Sequence, residues 1–135
     1  MILVVDANSV ISALLKDSKA RQIIVSDRFT LVAPEFLGEE LYKHRKYIAE
    51  KSGISDAEVK LLVTLLLRHI RIVPKAEYKA KLGEASAIME NDVGDAPYVA
   101  CYLALQCDGI WTNDADYDNK VGIKIVSTSY LLKLL

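Results

Sequence analysis

The chain has 135 residues, of which 52% are apolar and 26% charged, and its formal net charge is −1. That length suits one domain spanning 1–135, able to bury roughly two-thirds of its unfolded surface, and the apolar content excludes a disordered chain. The near-zero charge excludes nucleic-acid binding through a broad basic surface, so any such contact rests on a local patch or on metal ions that bridge to phosphate.

The first element is the aliphatic run Ile2-Leu3-Val4-Val5, which ends at Asp6. A run without polar alternation marks a strand buried on both faces, as in a parallel sheet. Residues 8–15 follow as a helix with Val10, Ile11, Leu14 and Leu15 on one face, and a second helix is predicted over 19–27 with Ile23 and Ile24 inward. Phe29 to Ala33 reads as a short strand closed by Pro34. Residues 35–50 are predicted as one helix, with Phe36, Leu37, Leu41 and Ile48 on its apolar face and Gly53 as its breaker. Ser55-Asp56-Ala57-Glu58 is a capping box, so 56–67 is helical despite its strand-like leucines. Ile70 to Val73 is a strand stopped by Pro74, and 76–90 a helix. Asp95 is expected to cap a helix over 96–107, with Pro97 tolerated in its first turn. Asp108-Gly109 reads as a turn, Ile110 to Thr112 as a strand, Asn113 to Asn119 as a polar loop and Ile123 to Val126 as the last strand. Ser127 or Thr128 then caps a final short helix.

Strands alternating with helices imply an α/β fold, a three-layer α/β/α sandwich with a central parallel sheet. Repeats, low-complexity segments and linkers are absent from the sequence. Cys101 and Cys107, six apart on one expected helix, would lie about 9 Å apart along its axis, too far for a disulfide. Both read as buried thiols, consistent with a reducing cytoplasm. Met1 leads straight into a strand, so no signal peptide is expected. The run from Leu61 to Leu67 is far shorter than the ~20 residues of a membrane span.

In open parallel α/β sheets, ligands bind beyond the carboxyl ends of the strands. Asp6 ends the first strand, and Asp114 and Asp116 follow the strand at 110–112. Asp95 stands at a helix start on the same rim, and Glu40 lies early in the helix after the second strand. Each has an ordinary explanation by itself: Asp95 as an N-cap, Asp114 and Asp116 as turn residues, Glu40 beside Glu39 as a solvated face. Asp6 is harder to explain that way, because a carboxylate directly after four buried aliphatics needs a partner. Converging carboxylates repel, and a cation between them relieves the repulsion. Oxygen ligands without His or Cys select a hard ion, Mg²⁺ or Mn²⁺.

These residues carry a family resemblance. VVDANSVISALL (Val4 to Leu15), APEFLGEELYKH (Ala33 to His44), GDAPYVACYLAL (Gly94 to Leu105) and IWTNDADY (Ile110 to Tyr117) occur in an order and spacing that resemble the PIN-domain nucleases, among them archaeal PIN proteins and VapC-type toxins. The resemblance covers essentially the whole chain. It implies that Asp6, Glu40, Asp95 and Asp114 are the metal-binding, catalytic acids, with Asp116 a further ligand or water-holder and Asp92 an outside candidate. It implies outer support from Asn8 and Thr112, divalent-metal-dependent cleavage of RNA, a homodimer, and for the toxins an antitoxin partner.

No Ser/His or Cys/His arrangement supports a nucleophilic side chain, so the expected chemistry is hydrolysis by metal-activated water. The basic residues Lys43, Arg45 and Lys46, around His44, follow Glu40 on the same expected helix and are candidates for RNA backbone contact. Solvated surface explains them equally well. His44 and His69 read as surface or structural residues. Trp111 reads as core, whereas Tyr42, Tyr47, Tyr98 and Tyr117 include candidates for base stacking. Three rivals have weaker support. A receiver-like phospho-switch needs a phosphoacceptor Asp near residue 50 and a late Lys-Pro, and has neither. A haloacid-dehalogenase-like phosphatase needs Asp-x-Asp where this chain has Asp6-Ala7-Asn8. An inactive PIN module binding RNA or protein would have no need of the full acid set.

Overall fold

The computed structural model describes every residue except Lys16, Asp17, Asn91, Asn119 and Val121. Five strands, β1 (Ile2–Val5), β2 (Thr30–Pro34), β3 (Ile70–Val73), β4 (Gly109–Trp111) and β5 (Ile125–Val126), form a parallel sheet in the order β3-β2-β1-β4-β5. The aliphatic run of β1 lies at its centre, with Leu3, Val4 and Val5 fully buried. Leu3 stands opposite Leu31 on one side and Gly109 on the other.

The helices are α1 (Ala7–Leu14), α2 (Lys19–Val25), α3 (Phe36–Lys43), α4 (Arg45–Ser52), α5 (Asp56–Leu67), α6 (Lys75–Tyr78), α7 (Leu82–Ile88), α8 (Ala96–Leu105) and α9 (Thr128–Lys133). Helix α8 packs across β1, β2 and β4, with α6 and α7 against it, while α1, α2, α4, α5 and α9 pack on one another. This is the expected α/β/α layering. Among the described residues no helix is long and apolar enough to cross a membrane.

Several boundaries differ from the sequence expectation, each for a physical reason. The helix expected over 35–50 is two helices, parted at His44. There the Tyr42 carbonyl accepts from Arg45 Nη1 at 2.9 Å, and the Arg45 guanidinium lies 3.9 Å over the Tyr42 ring. Lys43 therefore sits on α3, and Arg45 and Lys46 on α4, not on one helix with Glu40. The helix expected over 76–90 is α6 and α7 joined by a 3₁₀ turn at Lys79–Lys81, with Tyr78, Ala85 and Met89 buried in the core.

Helix α8 stops at Leu105, short of 107, because Gln106 turns left-handed (φ 51°) and ends it. Cys107 lies past that end, and both cysteines are free and buried. Asp108-Gly109 is not a turn. Asp108 Oδ2 accepts from Ile2 N at 2.7 Å and Asp108 N donates to Ile2 O at 2.8 Å, which docks the start of β4 on β1. A Cβ at Gly109 would come within 3.2 Å of the Lys124 carbonyl, so glycine suits this crowded strand position. Pro34 ends β2 from within, paired with Val73. The last strand is shorter than expected, two residues rather than 123–126. The polar loop at 113–119 contains a 3₁₀ turn, Ala115–Tyr117, and its last residue, Asn119, is outside the described residues.

Strand order reverses direction between β1 and β4: the chain first builds outward through β2 and β3, then returns to add β4 and β5 on the other side. A crevice opens at such a point beyond the strands' carboxyl ends, and Asp6 and Thr112 stand on its two sides.

Candidate metal centre

Asp6 follows β1 and caps α1. Its Oδ1 accepts from the Ser9 backbone N–H at 2.9 Å, the N-cap bond that starts the helix. Its Oδ2 accepts from the Thr112 hydroxyl at 2.5 Å. These donors answer the need for a partner, since Asp6 is only 3% exposed. Burial pushes the Asp6 carboxyl above its ordinary range, and the Thr112 and Ser9 donors work against that rise. The Ser9 hydroxyl also donates to the Trp111 carbonyl at 3.2 Å, tying α1 to β4.

The support continues outward along the loop after β4. Asp114 N donates to Thr112 Oγ1 at 3.0 Å, and Asp116 N donates to Asp114 Oδ1 at 2.9 Å. The second bond makes Asp114 the cap of the 3₁₀ turn Ala115–Tyr117. A chain of short hydrogen bonds thus runs from Asp116 through Asp114 and Thr112 to Asp6.

Asp95 arrives from the opposite side. It ends the 3₁₀ turn Val93–Asp95 and stands at the N-cap position of α8, but its side chain makes no capping bond. The expectation of an N-cap is corrected in that respect: the carboxylate is directed instead at other carboxylates. Its pKa is pushed up to about 8, first by burial, then by its hydrogen bond with Asp92 and by the charges of Asp92, Asp114 and Asp6. The exposed Asp116 is raised too, first by its own hydrogen bond with Asp92, then by the charge of Asp114. Asp92 acts on both Asp95 and Asp116, which makes it the hub of this cluster.

Asp92, Asp95, Asp114 and Asp116 each offer an oxygen, and the four oxygens lie within 4.8 Å of one another. Opposite ligands of an octahedral Mg²⁺ stand about 4.2 Å apart, so small side-chain adjustments would close these oxygens on one ion. The donor set is oxygen only, with no histidine or thiol, which fits a hard divalent cation. Three expected acids, Asp95, Asp114 and Asp116, are in this group; Asp6 and Glu40 are not. Asp6 stands behind the group, close enough for its charge to raise Asp95. Glu40 is half-buried on α3.

Asp92, an outside candidate in the sequence, is central. Its three-residue spacing to Asp95 was its only local signal. Ser9 had a readable signal too, since Asp6-x-x-Ser9 has the N-cap to N3 spacing. Asn8 is exposed and lines a polar cavity of about 410 Å³, together with Ser9, Ser12, Asn113, Asp114 and Ala115. Tyr98 and Tyr117, candidates for base stacking in the sequence, are fully buried and cannot meet a base, whereas Tyr42 is 67% and Tyr47 48% exposed. Trp111 is core as expected and donates Nε1–H to Thr128 Oγ1 at 3.0 Å. His69 is bound to Asp27 at 2.8 Å, far from the acids in role.

The model of the PIN domain family matches residues 4–134. No curated protein matches the chain. Among solved structures, the fold is similar to that of VapBC2 from Rickettsia felis bound to a DNA fragment from their promoter, with a TM-score of 0.71 and 13% sequence identity over 94% of this chain and 98% of that chain.

Proposed function

The chain belongs to the PIN-domain family, and from that premise we propose that it is a divalent-metal-dependent ribonuclease, working as the toxin of a toxin–antitoxin pair. The observation that carries the reading is the convergence of four carboxylate oxygens within 4.8 Å from two separate segments of the chain. Asp92, Asp95, Asp114 and Asp116 would hold Mg²⁺ or Mn²⁺, with Asp6 and Glu40 supplying further negative charge from behind and beside. The bound cation supplies Lewis-acid activation of water and of the scissile phosphate for in-line attack.

The chain's own residues do the rest. Ser9 and Thr112 lock the Asp6 carboxylate in one orientation, and Thr112 carries that order on to Asp114. The polar cavity shares Asp114 with the acid group, and its hydroxyls and amides suit a ribose and base next to the scissile phosphate. Lys43 and Lys46 are exposed and could reach flanking phosphates, whereas Arg45 is engaged with Tyr42. With a net charge of −1, phosphate attraction depends chiefly on the cation.

The likeness to the VapBC2 complex supports a protein partner of antitoxin type, and a homodimer follows from the family resemblance. The free cysteines fit a reducing compartment such as the cytoplasm. The test is RNA cleavage in Mn²⁺ or Mg²⁺ by the wild-type chain and by Asp95→Asn and Asp114→Asn. Loss of at least the 10- to 100-fold typical of disturbed metal sites is expected in variants that keep native circular dichroism. Undiminished cleavage in a folded variant would sink the assignment, and cleavage of DNA but not RNA would change the substrate.

A further inference from the structure

Among the described residues two side-chain hydroxyls are buried without any hydrogen-bond partner: Tyr98 Oη and Tyr117 Oη. Both tyrosines are 0% exposed. Such groups are rare in folded proteins, and each one calls for an explanation. Both lie beside the acid group. Tyr98 is three residues after Asp95, one turn along α8 and on the same face. Its ring meets the Phe36 ring edge-on at 6.2 Å, and Phe36 stands one turn before Glu40 on α3. Tyr98 therefore bridges the helices that carry Asp95 and Glu40. Tyr117 follows Asp116 directly, and its backbone N–H donates to the Asp114 carbonyl at 3.3 Å.

The electrostatics agree with this placement. Burial is the main cause that raises the Tyr98 hydroxyl's pKa, followed by the charges of Glu40, Asp6 and Asp95. For Tyr117 it is burial, then Asp95 and Asp6, then Tyr98 and Asp114. The charges of Asp95 and Asp6 thus act on both phenols. A phenol O–H is a donor, and an ionised carboxylate only accepts. The two sets are complementary, and neither hydroxyl has a partner.

Building on the cation reading above, we infer that Tyr98 and Tyr117 are positioning residues of the carboxylate site, their buried hydroxyls donating to the ionised Asp95 and Asp6 carboxylates when a divalent cation is bound. The hydroxyls hold the ligand oxygens in the orientation that the cation requires. They act from the dry side of the site, through the carboxylates, and touch neither cation nor RNA.

The experiment measures Mn²⁺ affinity by titration calorimetry, the Mn²⁺ electron paramagnetic resonance spectrum, and melting in chelator, for the wild-type chain, Tyr98→Phe, Tyr117→Phe and the double variant. Phenylalanine keeps the ring and removes only the hydroxyl. The expected result is melting in chelator equal to or above wild type, because an unpartnered polar group has gone, with Mn²⁺ affinity about 10-fold weaker in at least one single variant and weaker still in the double variant. A purely structural tyrosine would move the melting temperature and leave affinity and spectrum alone. Wild-type Mn²⁺ binding retained unchanged in all three variants overturns the inference and leaves the cation site standing. Failure of the wild-type chain to bind Mn²⁺ overturns both.

Discussion

The Thr112 hydroxyl donates to Asp6 Oδ2 at 2.5 Å, joining residues 106 positions apart in the chain. The bond spans the two central strands, β1 and β4, at the point where strand order reverses. It lets a carboxylate survive at the end of a buried strand. It also couples the acids of the 92–116 group to the sheet, since Thr112 Oγ1 accepts from Asp114 N as well.

Thr112→Val keeps the shape and removes the hydroxyl. It should cost about 1.5–3 kcal/mol, the range for a hydrogen bond to a charged group, read by urea or thermal unfolding at neutral pH. Thr112→Ser retains the donor and should recover most of the loss. Equal stability of the Val and wild-type chains would mean that Asp6 has another partner in solution.

Asp95→Asn should act in opposite directions on folding and on metal binding. Its carboxylate is half-buried among Asp92, Asp114 and Asp6, so its charge opposes folding. In chelator at pH 9 the variant should melt a few degrees above wild type. The melting increase that Mn²⁺ gives the wild-type chain, by mass action on the folded state, should shrink sharply in the variant. A variant that melts lower in chelator and keeps the full Mn²⁺ increase contradicts the geometry.

The pH dependence has a definite sign. The Asp95 pKa stands at about 8 in the folded chain against an ordinary 3.8. Between those values the folded chain holds a proton that the unfolded chain has lost, so this group's contribution to stability falls as pH rises through that window. A cation competes with the same proton. In chelator, stability should therefore decline from about pH 4 to 8 through this group, while the Mn²⁺-induced rise in melting temperature should be larger at pH 8 than at pH 6. A Mn²⁺ effect independent of pH would show that the ion does not displace the proton.

A control comes from outside the acid group. Ser55 Oγ accepts from Glu58 N at 3.1 Å and Glu58 Oε1 from Ser55 N at 3.1 Å, a complete capping box at the start of α5. Ser55→Ala should cost about 1 kcal/mol, roughly 4 °C in melting. Mn²⁺ affinity should be unchanged, which separates loss of stability from loss of the site.

Much of the architecture was legible in the residues. The unbroken run at 2–5 identified a central parallel strand, and Ser55 with Glu58 identified a helix start, because such signals lie within one element. Boundaries were less legible where a particular side-chain or cross-strand contact decided them. Nothing local in Tyr42 to Lys46 says that Arg45 will take the Tyr42 carbonyl and part the helix. Asp108-Gly109 looks like a turn until Ile2 is set against it.

By itself the sequence determined the α/β class, most strand positions and the placing of acids at strand and helix ends, since apolar period, capping and turn chemistry are local. Only the tertiary structure decided which carboxylates meet. Asp92 joined the group, Glu40 and Asp6 stayed outside the four nearest oxygens, and Tyr98 and Tyr117 went from possible surface rings to buried hydroxyls beneath the acids. The physical reason is the strand order: the site lies where β1 and β4 become neighbours, and a contact across 106 residues leaves no periodicity to read.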